Sequence, residues 1–174
     1  VEMLAHHFLQ GEEWEKAVTY LRQAGAKAAA LCANTEAATF LQRALEANRH
    51  LPRMRERDER AIDLSLDLRP PLLQLGRLEE VLAVSREAEA LAKTLNDEQR
   101  LARVYTYLIN YHYLKGEPHL AKEYGERCLG IGERIGDLPL QVLALQYMGT
   151  CAHAQGHYRE AIGTLSRNIA LIEK

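Results

Sequence analysis

Three short stretches decide the fold of this chain: GRLEEV at residues 76–81, GEPHLA at residues 116–121 and GHYREA at residues 156–161. Their glycines are 40 residues apart in both intervals. In each stretch a larger residue follows the glycine by two positions, and a small or β-branched residue follows it by five. Self-similarity at a fixed period is the signature of a repeat architecture, in which every unit adopts the same local structure.

The residues on both sides of each glycine have the spacing of amphipathic helices. In the last unit the apolar positions are Val142, Leu145, Met148, Gly149 and Ala152 before the glycine, and Tyr158, Ala161, Ile162, Leu165 and Ile169 after it. Glycine readily takes the left-handed backbone conformation that ends a helix. The sequence therefore predicts helix-turn-helix units with Gly76, Gly116 and Gly156 in the turns.

The last unit resembles the tetratricopeptide repeat family. The residues that carry this resemblance are Leu145, Met148, Gly149, Gly156, Tyr158, Ala161 and Leu165. The resemblance implies an all-α fold, a right-handed α-solenoid of about five helix hairpins. The period of 40 residues exceeds the family's usual period of about 34. We expect longer helices, and longer loops near residues 96–97 and 136–139, to supply the difference.

The first 50 residues follow the pattern less regularly. WEKA at residues 14–17 predicts the start of a second helix, and NTEA at residues 34–37 opens another such helix. Only a short helix, at about residues 26–32, fits between them. Residues 1–50 are therefore expected to contain two helix pairs, the second with a short first helix.

A further resemblance concerns roughly residues 1–70. AHHF at residues 5–8, EKA at residues 15–17, AG at residues 24–25 and the run at residues 34–45 are similar to one setting of the repeat. This setting is the tetratricopeptide region that follows a predicted ATPase module in bacterial adenylate/guanylate cyclases and transcription regulators. The resemblance implies a regulatory arm, with any ATP site outside this chain. Because the chain begins at Val1, we expect it to be a fragment of a longer protein.

Two prolines predict interruptions of the helical array. Pro52 disfavours helix at Leu51, so we expect a boundary between an N-terminal block, residues 1–50, and three repeats in residues 54–174, stacked as one array. Pro70-Pro71 falls inside a predicted helix, where proline removes backbone donors and clashes with the preceding turn. A kink or break is therefore predicted near Arg69.

The charge balance argues against nucleic acid and membranes as partners. The net charge is −2, from 22 basic and 24 acidic residues, so no overall field attracts polyanions. One basic cluster is interleaved with carboxylates and contains no aromatic residue for base stacking. Its arginines are Arg49, Arg53, Arg55, Arg57 and Arg60, and its carboxylates are Glu56, Asp58 and Glu59. We interpret it as the solvated start of a helix, with ion pairs such as Glu56–Arg60.

The sequence predicts neither an enzyme nor a cofactor site, since it lacks a nucleophile motif and a phosphate-binding glycine loop. Cys32, Cys128 and Cys151 are far apart and form no C-x-x-C motif, which favours free thiols in a reducing cytoplasm. His153 and His157 are four residues apart, but a turn between them argues against a metal site. The uncharged stretch at residues 138–158 is too polar to span a bilayer, and residues 1–10 do not form a signal peptide.

In tetratricopeptide arrays the first helix of each pair lines a concave groove, and the resemblance assigns groove positions here. They are Arg103, Thr106, Asn110 and Tyr113 in the fourth unit, and Leu143, Gln146, Thr150 and His153 in the fifth. Uncharged donors and an aromatic suit an extended peptide or a helix. Asn110 resembles the family's clamp for a peptide backbone or terminal carboxylate, but Leu114 replaces the expected lysine. Tyr105 and Tyr111 are expected to pack against neighbouring helices instead.

Two functions remain open from the sequence. The first is an interaction module that binds a protein or peptide segment in this groove. The second is a regulatory or sensory arm that packs on another domain of the same chain. Apolar positions continue through Ile162, Leu165, Ile169 and Ile172 without a polar outer face, so a solenoid ending here would be uncapped. We therefore expect either a continuing chain or self-association through the ends.

Overall fold

The computed structural model describes residues 1–173, and within this range the chain folds into nine α-helices without a β-strand. The helices are α1 (Glu2–Gln10), α2 (Trp14–Ala30), α3 (Asn34–Arg49), α4 (Arg55–Gln74), α5 (Leu78–Leu95), α6 (Glu98–Leu114), α7 (Pro118–Ile135), α8 (Leu138–Ala154) and α9 (Tyr158–Ile172). The predicted all-α fold of helix hairpins is confirmed. None of the helices in residues 1–173 combines the length and apolarity that crossing a bilayer requires.

The helices form two compact units, Val1–Leu95 with α1 to α5 and Asn96–Lys174 with α6 to α9. Within each unit every helix packs on the next helix along the chain, and α6 also contacts α8. The proposed boundary at residues 50–54 lies inside the first unit, where α3 packs on α4. The division into residues 1–50 and 54–174 stays a prediction.

Five turns between helices share one backbone geometry. Each has three residues between the helices, and its middle residue has a positive φ. These residues are Glu12 (54°), Cys32 (57°), Gly76 (69°), Gly116 (72°) and Gly156 (77°). In each turn an N–H donates to the carbonyl five residues earlier, for example Glu117 N to His112 O at 2.8 Å, which satisfies a carbonyl at the helix end. The three predicted turn glycines are confirmed.

Long helices alone account for the 40-residue period. Helix α6 has 17 residues and α7 has 18, while only Gly136 and Asp137 connect α7 to α8. The expectation of longer loops between units is therefore wrong. These connections are short because Asp97 and Asp137 cap the next helix directly, accepting hydrogen bonds from the backbone N–H groups of Arg100 (2.9 Å) and Leu140 (3.0 Å).

Helix α2 runs without interruption from Trp14 to Ala30, so the separate helix expected at residues 26–32 is wrong. Gly25 lies inside α2 instead of ending it, and it allows a close approach to α3. A Cβ atom at Gly25 would lie 2.7 Å from Leu41 Cγ. The N-terminal part therefore has one helix fewer than expected: α1, α2 and α3 are joined by two turns of the shared geometry.

Helix α4 is continuous from Arg55 to Gln74 and contains Pro70 and Pro71, so the break predicted near Arg69 is wrong. Pro70 and Pro71 have no backbone N–H to donate to the preceding turn, so the helix continues despite the loss of these two hydrogen bonds. Leu68 and Leu72 on either side are fully buried, and this packing holds the segment in helical conformation.

The mixed-charge run forms the start of α4, as expected, but its ion pairs differ from the prediction. The pairs are Arg55–Glu59 at 2.6 Å, Arg57–Asp58 at 2.7 Å and Arg60–Glu15 at 3.9 Å. The expected Glu56–Arg60 pair is wrong, because Arg60 reaches across to the start of α2. All of these side chains remain partly exposed, so each pair contributes only about 0–1 kcal/mol.

Candidate partner-binding site

Helix α6 packs its inner side on α7 through aromatic rings. The Tyr105 ring lies 5.4 Å from the Tyr124 ring, and the His112 ring stacks parallel to Tyr124 at 5.4 Å. His112 is buried, and its Nδ1 lies 2.7 Å from Glu117 Oε2 in the following turn. Tyr105 and Tyr111 are each 4% exposed, so the prediction that they pack inside is confirmed.

Helix α8 packs on α7 through one side and on α9 through another. A Cβ atom on Gly125 of α7 would lie 2.5 Å from Met148 Cγ, and one on Gly149 would lie 2.6 Å from Leu165 Cγ of α9. Among the predicted groove positions on α8, Gln146 borders α9, because its Oε1 accepts a hydrogen bond from Asn168 Nδ2 at 3.4 Å. Leu143, Gln146 and His153 are nevertheless exposed, and α8 touches α6.

On α6 the predicted groove residues differ in exposure. Arg103 is exposed, and Asn110 and Tyr113 are half-buried. Thr106 differs from expectation: it is 3% exposed, and its hydroxyl donates to the Arg103 carbonyl oxygen at 2.7 Å. This side chain therefore lies beneath the surface and supports the helix more than it offers a donor to a ligand.

On α8 the predicted groove residues are accessible. Gln146 and His153 are exposed, Leu143 is 38% exposed and Thr150 is half-buried. The Thr150 hydroxyl donates to the Gln146 carbonyl oxygen at 2.9 Å. Because α8 contains no Asp, Glu, Lys or Arg, this side of the helix offers an amide, a hydroxyl, an imidazole and an apolar group.

Two parts of this surface were not assigned from the sequence. Tyr158 is 61% exposed, and its ring meets the His153 ring edge-on at 5.6 Å. A depression of about 610 Å³ lies at the other end, between Gln99 near the start of α6 and Pro139 near the start of α8. In the repeat pattern the aromatic residue after the turn glycine is a packing position, and residues 136–139 form a connection, so neither pattern indicates a binding surface. Together with the groove residues, Tyr158 and the depression define the α6–α8 face.

The first unit offers a useful contrast, because its helices α2 and α4 also lie in contact. There, charged side chains pair with one another across the two helices. Arg22 Nε donates to Asp67 Oδ2 at 2.7 Å, and Arg60 lies 3.9 Å from Glu15. Ion pairs of this kind cannot link α6 to α8, since α8 carries no carboxylate and no lysine or arginine. Within residues 1–173, α8 therefore contributes no formal charge to the surface that it shares with α6.

Ion pairs in the second unit link α7 to its neighbours α6 and α9. Lys122 donates to Glu160 at 2.5 Å, and Arg134 makes bonds of 2.7 and 3.1 Å to Glu98. The hydrogen bond from Arg134 holds the pKa of Glu98 below its usual value, and the one from Lys122 does the same for the pKa of Glu160. The first pair joins α7 to α9, and the second joins α7 to α6. Because these side chains are exposed to solvent, each pair contributes little to the stability of the fold.

Reactive groups are scarce on this surface. Burial raises the pKa of the Cys128 thiol to about 12 and also raises that of Cys151, so neither provides a thiolate at neutral pH. No group of three metal-ligating side chains occurs among residues 1–173. His157 approaches Glu160 at 3.9 Å, and the turn at Gly156 separates it from His153.

Comparison with known proteins gives no match to a family model and no similar curated protein. Solved structures do resemble the chain. BtubC (BKLC) from P. vanneervenii matches with a TM-score of 0.82 at 19% identity, covering 92% of this chain and 65% of that one. Aspartyl phosphate phosphatase F from Bacillus subtilis matches with a TM-score of 0.80 at 13% identity, covering 97% of this chain and 49% of that one.

A putative kinesin light chain of Podosopora anserina, with nearly identical TPR-like repeats, also matches. Its TM-score is 0.58 at 18% identity, covering 97% of this chain and 92% of that one. Identities this low show the fold alone, so the activity in the name of the phosphatase does not transfer. The chain spans about two thirds of the first of these structures and about half of the second. It shares the fold of TPR-like helical-repeat proteins.

Proposed function

We propose that the chain is a protein-interaction module whose second unit binds a segment of a partner protein on the α6–α8 face. The observation that carries the proposal is the contrast between the two units. In the first unit, charged groups on α2 and α4 neutralise each other. In the second unit, Arg103 of α6 is exposed. Gln146 and His153 are also exposed, and they lie on α8, a helix without formal charges. No catalytic constellation lies on this face, so binding is the function that its chemistry supports.

The chemistry of the face indicates the kind of segment it binds. Amide and imidazole groups can hydrogen-bond the backbone of an extended peptide, while Leu143 and the Tyr158 ring cover apolar side chains. Arg103, one helical turn after Gln99 at the depression, adds one cation. We therefore expect an uncharged or weakly acidic segment with apolar anchors, and we expect binding to depend little on salt.

The test uses the purified chain as bait in a lysate of its source organism. The matched variant carries Arg103→Ala, Leu143→Ala and His153→Ala, three exposed groove positions. A control variant carries Glu123→Ala, Glu126→Ala and Arg127→Ala, three exposed positions on α7. We expect a partner that the wild type and the α7 control capture and the face variant loses. A partner that all three baits retain equally would refute binding at this face.

A second candidate is a regulatory or sensory arm of a multidomain bacterial regulator. This candidate rests on the resemblance that short motifs in residues 1–70 bear to the region after a predicted ATPase module. A signal would act by binding one arrangement of arm and module better than the other. Sequencing the gene upstream of Val1 tests this candidate. A nucleotide-binding module in the same reading frame would support it, and a stop codon directly upstream would contradict it.

The chemistry of the thiols favours the cytoplasm as the compartment. Cys32 is exposed and free, and Cys128 and Cys151 are buried and free. Free thiols persist in reducing compartments. Fractionation of the source cells with an antibody to the chain is expected to place it in the cytoplasmic fraction, and recovery from an oxidising compartment would contradict this.

A further inference from the structure

One side of α9 exposes a row of large apolar side chains. Tyr158, Ile162, Ile169 and Ile172 are 61%, 66%, 56% and 63% exposed. With 3.6 residues per turn, these positions fall on one stripe along the helix. The side of α9 next to this stripe packs on α8, where Ala161 and Asn168 are buried. Four neighbouring side chains of this size are more than the isolated apolar residues that cover most protein surfaces.

The order of residues along the stripe allows it to pair with an identical stripe that runs in the opposite direction. Spacings between its apolar residues are four, seven and three positions, which read almost the same in the opposite direction. Arg159 lies beside one end of the stripe and Glu173 beside the other, on the same flank, and both are exposed. In an antiparallel pair related by a two-fold axis, residue i meets residue j and residue j meets residue i.

We propose that the α9 stripe is the interface of an antiparallel homodimer, with a second copy of this chain as its occupant. Ile162 of one copy packs near Ile169 of the other, and this contact occurs twice. Arg159 of one copy lies opposite Glu173 of the other, also twice. Opposite charges therefore meet at both ends of this flank when the helices run antiparallel.

The size of the stripe predicts a weak dimer. A helix of 15 residues is about 22 Å long. Packing two such helices together buries less than about 1,200 Å² in total, the range of weak and transient complexes. We expect association in the micromolar range or weaker, without a change in the fold of either copy.

Sedimentation velocity over a concentration series measures the dissociation constant of the complete chain. Ile169→Asp is expected to weaken dimerisation about tenfold or more, because it places a charge in the centre of the apolar contact. The matched control is Leu31→Asp, since Leu31 is 71% exposed in the turn between α2 and α3. The control is expected to dimerise as the wild type does. Circular dichroism establishes that both variants are folded.

Charge reversal tests the antiparallel arrangement specifically. Arg159→Glu or Glu173→Arg alone places like charges opposite each other twice, and we expect each to weaken the dimer roughly threefold to tenfold at low salt. The double variant restores opposite charges and is expected to dimerise like the wild type. Mixing the two single variants is expected to give a heterodimer in preference to either homodimer.

Three results would overturn the proposal. A wild-type chain that stays monomeric at several hundred micromolar would leave the stripe to a different occupant. Dimerisation that Ile169→Asp does not weaken would place the interface elsewhere. Single charge variants whose defect the double variant does not correct would exclude the antiparallel pairing of Arg159 with Glu173.

Discussion

Replacing Gly25 with alanine is expected to destabilise the first unit, although Gly25 lies in the middle of helix α2. A Cβ atom at this position would lie 2.7 Å from Leu41 Cγ and 3.0 Å from Leu41 Cδ2. Carbon atoms normally approach to about 3.5–4.0 Å. Leu41 is 2% exposed, so it has little room to move away.

The magnitude follows from two opposing effects. Overpacking a closed core costs about 1–3 kcal/mol. Alanine is favoured over glycine inside a helix by about 1 kcal/mol. Gly130→Ala in α7 provides the matched control, because a Cβ atom there would meet nothing within 4 Å. Both variants gain the same helix propensity, so the difference in their free energies of unfolding isolates the clash and is expected to be about 1–3 kcal/mol.

Urea unfolding followed by far-ultraviolet circular dichroism measures both changes. Gly130→Ala is expected to raise the free energy of unfolding, and Gly25→Ala to lower it. Combining Gly25→Ala with Leu41→Ala removes the side chain that clashes, so the two substitutions are expected to cost less together than the sum of their separate costs. Equal stabilisation by Gly25→Ala and Gly130→Ala would refute the close packing of α2 on α3.

Further predictions concern the turns and the thiols. Asp137→Ala removes the cap on the Leu140 N–H and is expected to lower the free energy of unfolding by about 1 kcal/mol, whereas Asp137→Asn keeps most of it; urea unfolding compares the two. Cys32→Gly is expected to raise the free energy of unfolding by about 1 kcal/mol in the same assay, because Cys32 has a φ of 57°. A thiol reagent at neutral pH is expected to label Cys32 quickly, and Cys128 and Cys151 only after unfolding; rapid labelling of all three would contradict their burial. Burial raises the pKa of Cys128 from 9.0 to about 12, so the unfolded state releases a proton first and the free energy of unfolding is expected to fall as the pH rises from 9 to 12; a pH series on Cys128→Ala should show a smaller fall.

The repeat could be predicted from the sequence because its turns have a chemical requirement. A positive φ favours glycine strongly, so Gly76, Gly116 and Gly156 mark their turns in the sequence. The turn between α2 and α3 has the same geometry, but Cys32 occupies its positive-φ position. The packing of α2 on α3 stabilises this turn despite the unfavourable residue, and no local signal reveals it. For this reason the sequence misplaced the end of α2.

Packing also explains the second error, at Pro70 and Pro71. Local propensity predicts a break, but the burial of Leu68 and Leu72 keeps the helix continuous. The candidate site shows the same limit. Helical register identified the exposed positions Arg103, Gln146 and His153, whereas the burial of Thr106 depends on the packing around α6. Periodicity predicts which side of a helix is polar, and tertiary contacts decide which polar side chains reach solvent.

Selection of peptides from a displayed random library, with the purified chain as target, tests the central claim most directly. The dissociation constants of the selected peptides are then measured on the wild type, the α6–α8 face variant and the α7 control variant. We predict that the face variant weakens most selected peptides about tenfold or more, while the α7 control leaves them unchanged. Peptides that bind all three proteins equally, or a library that yields no binder, would contradict a peptide-binding role for the α6–α8 face.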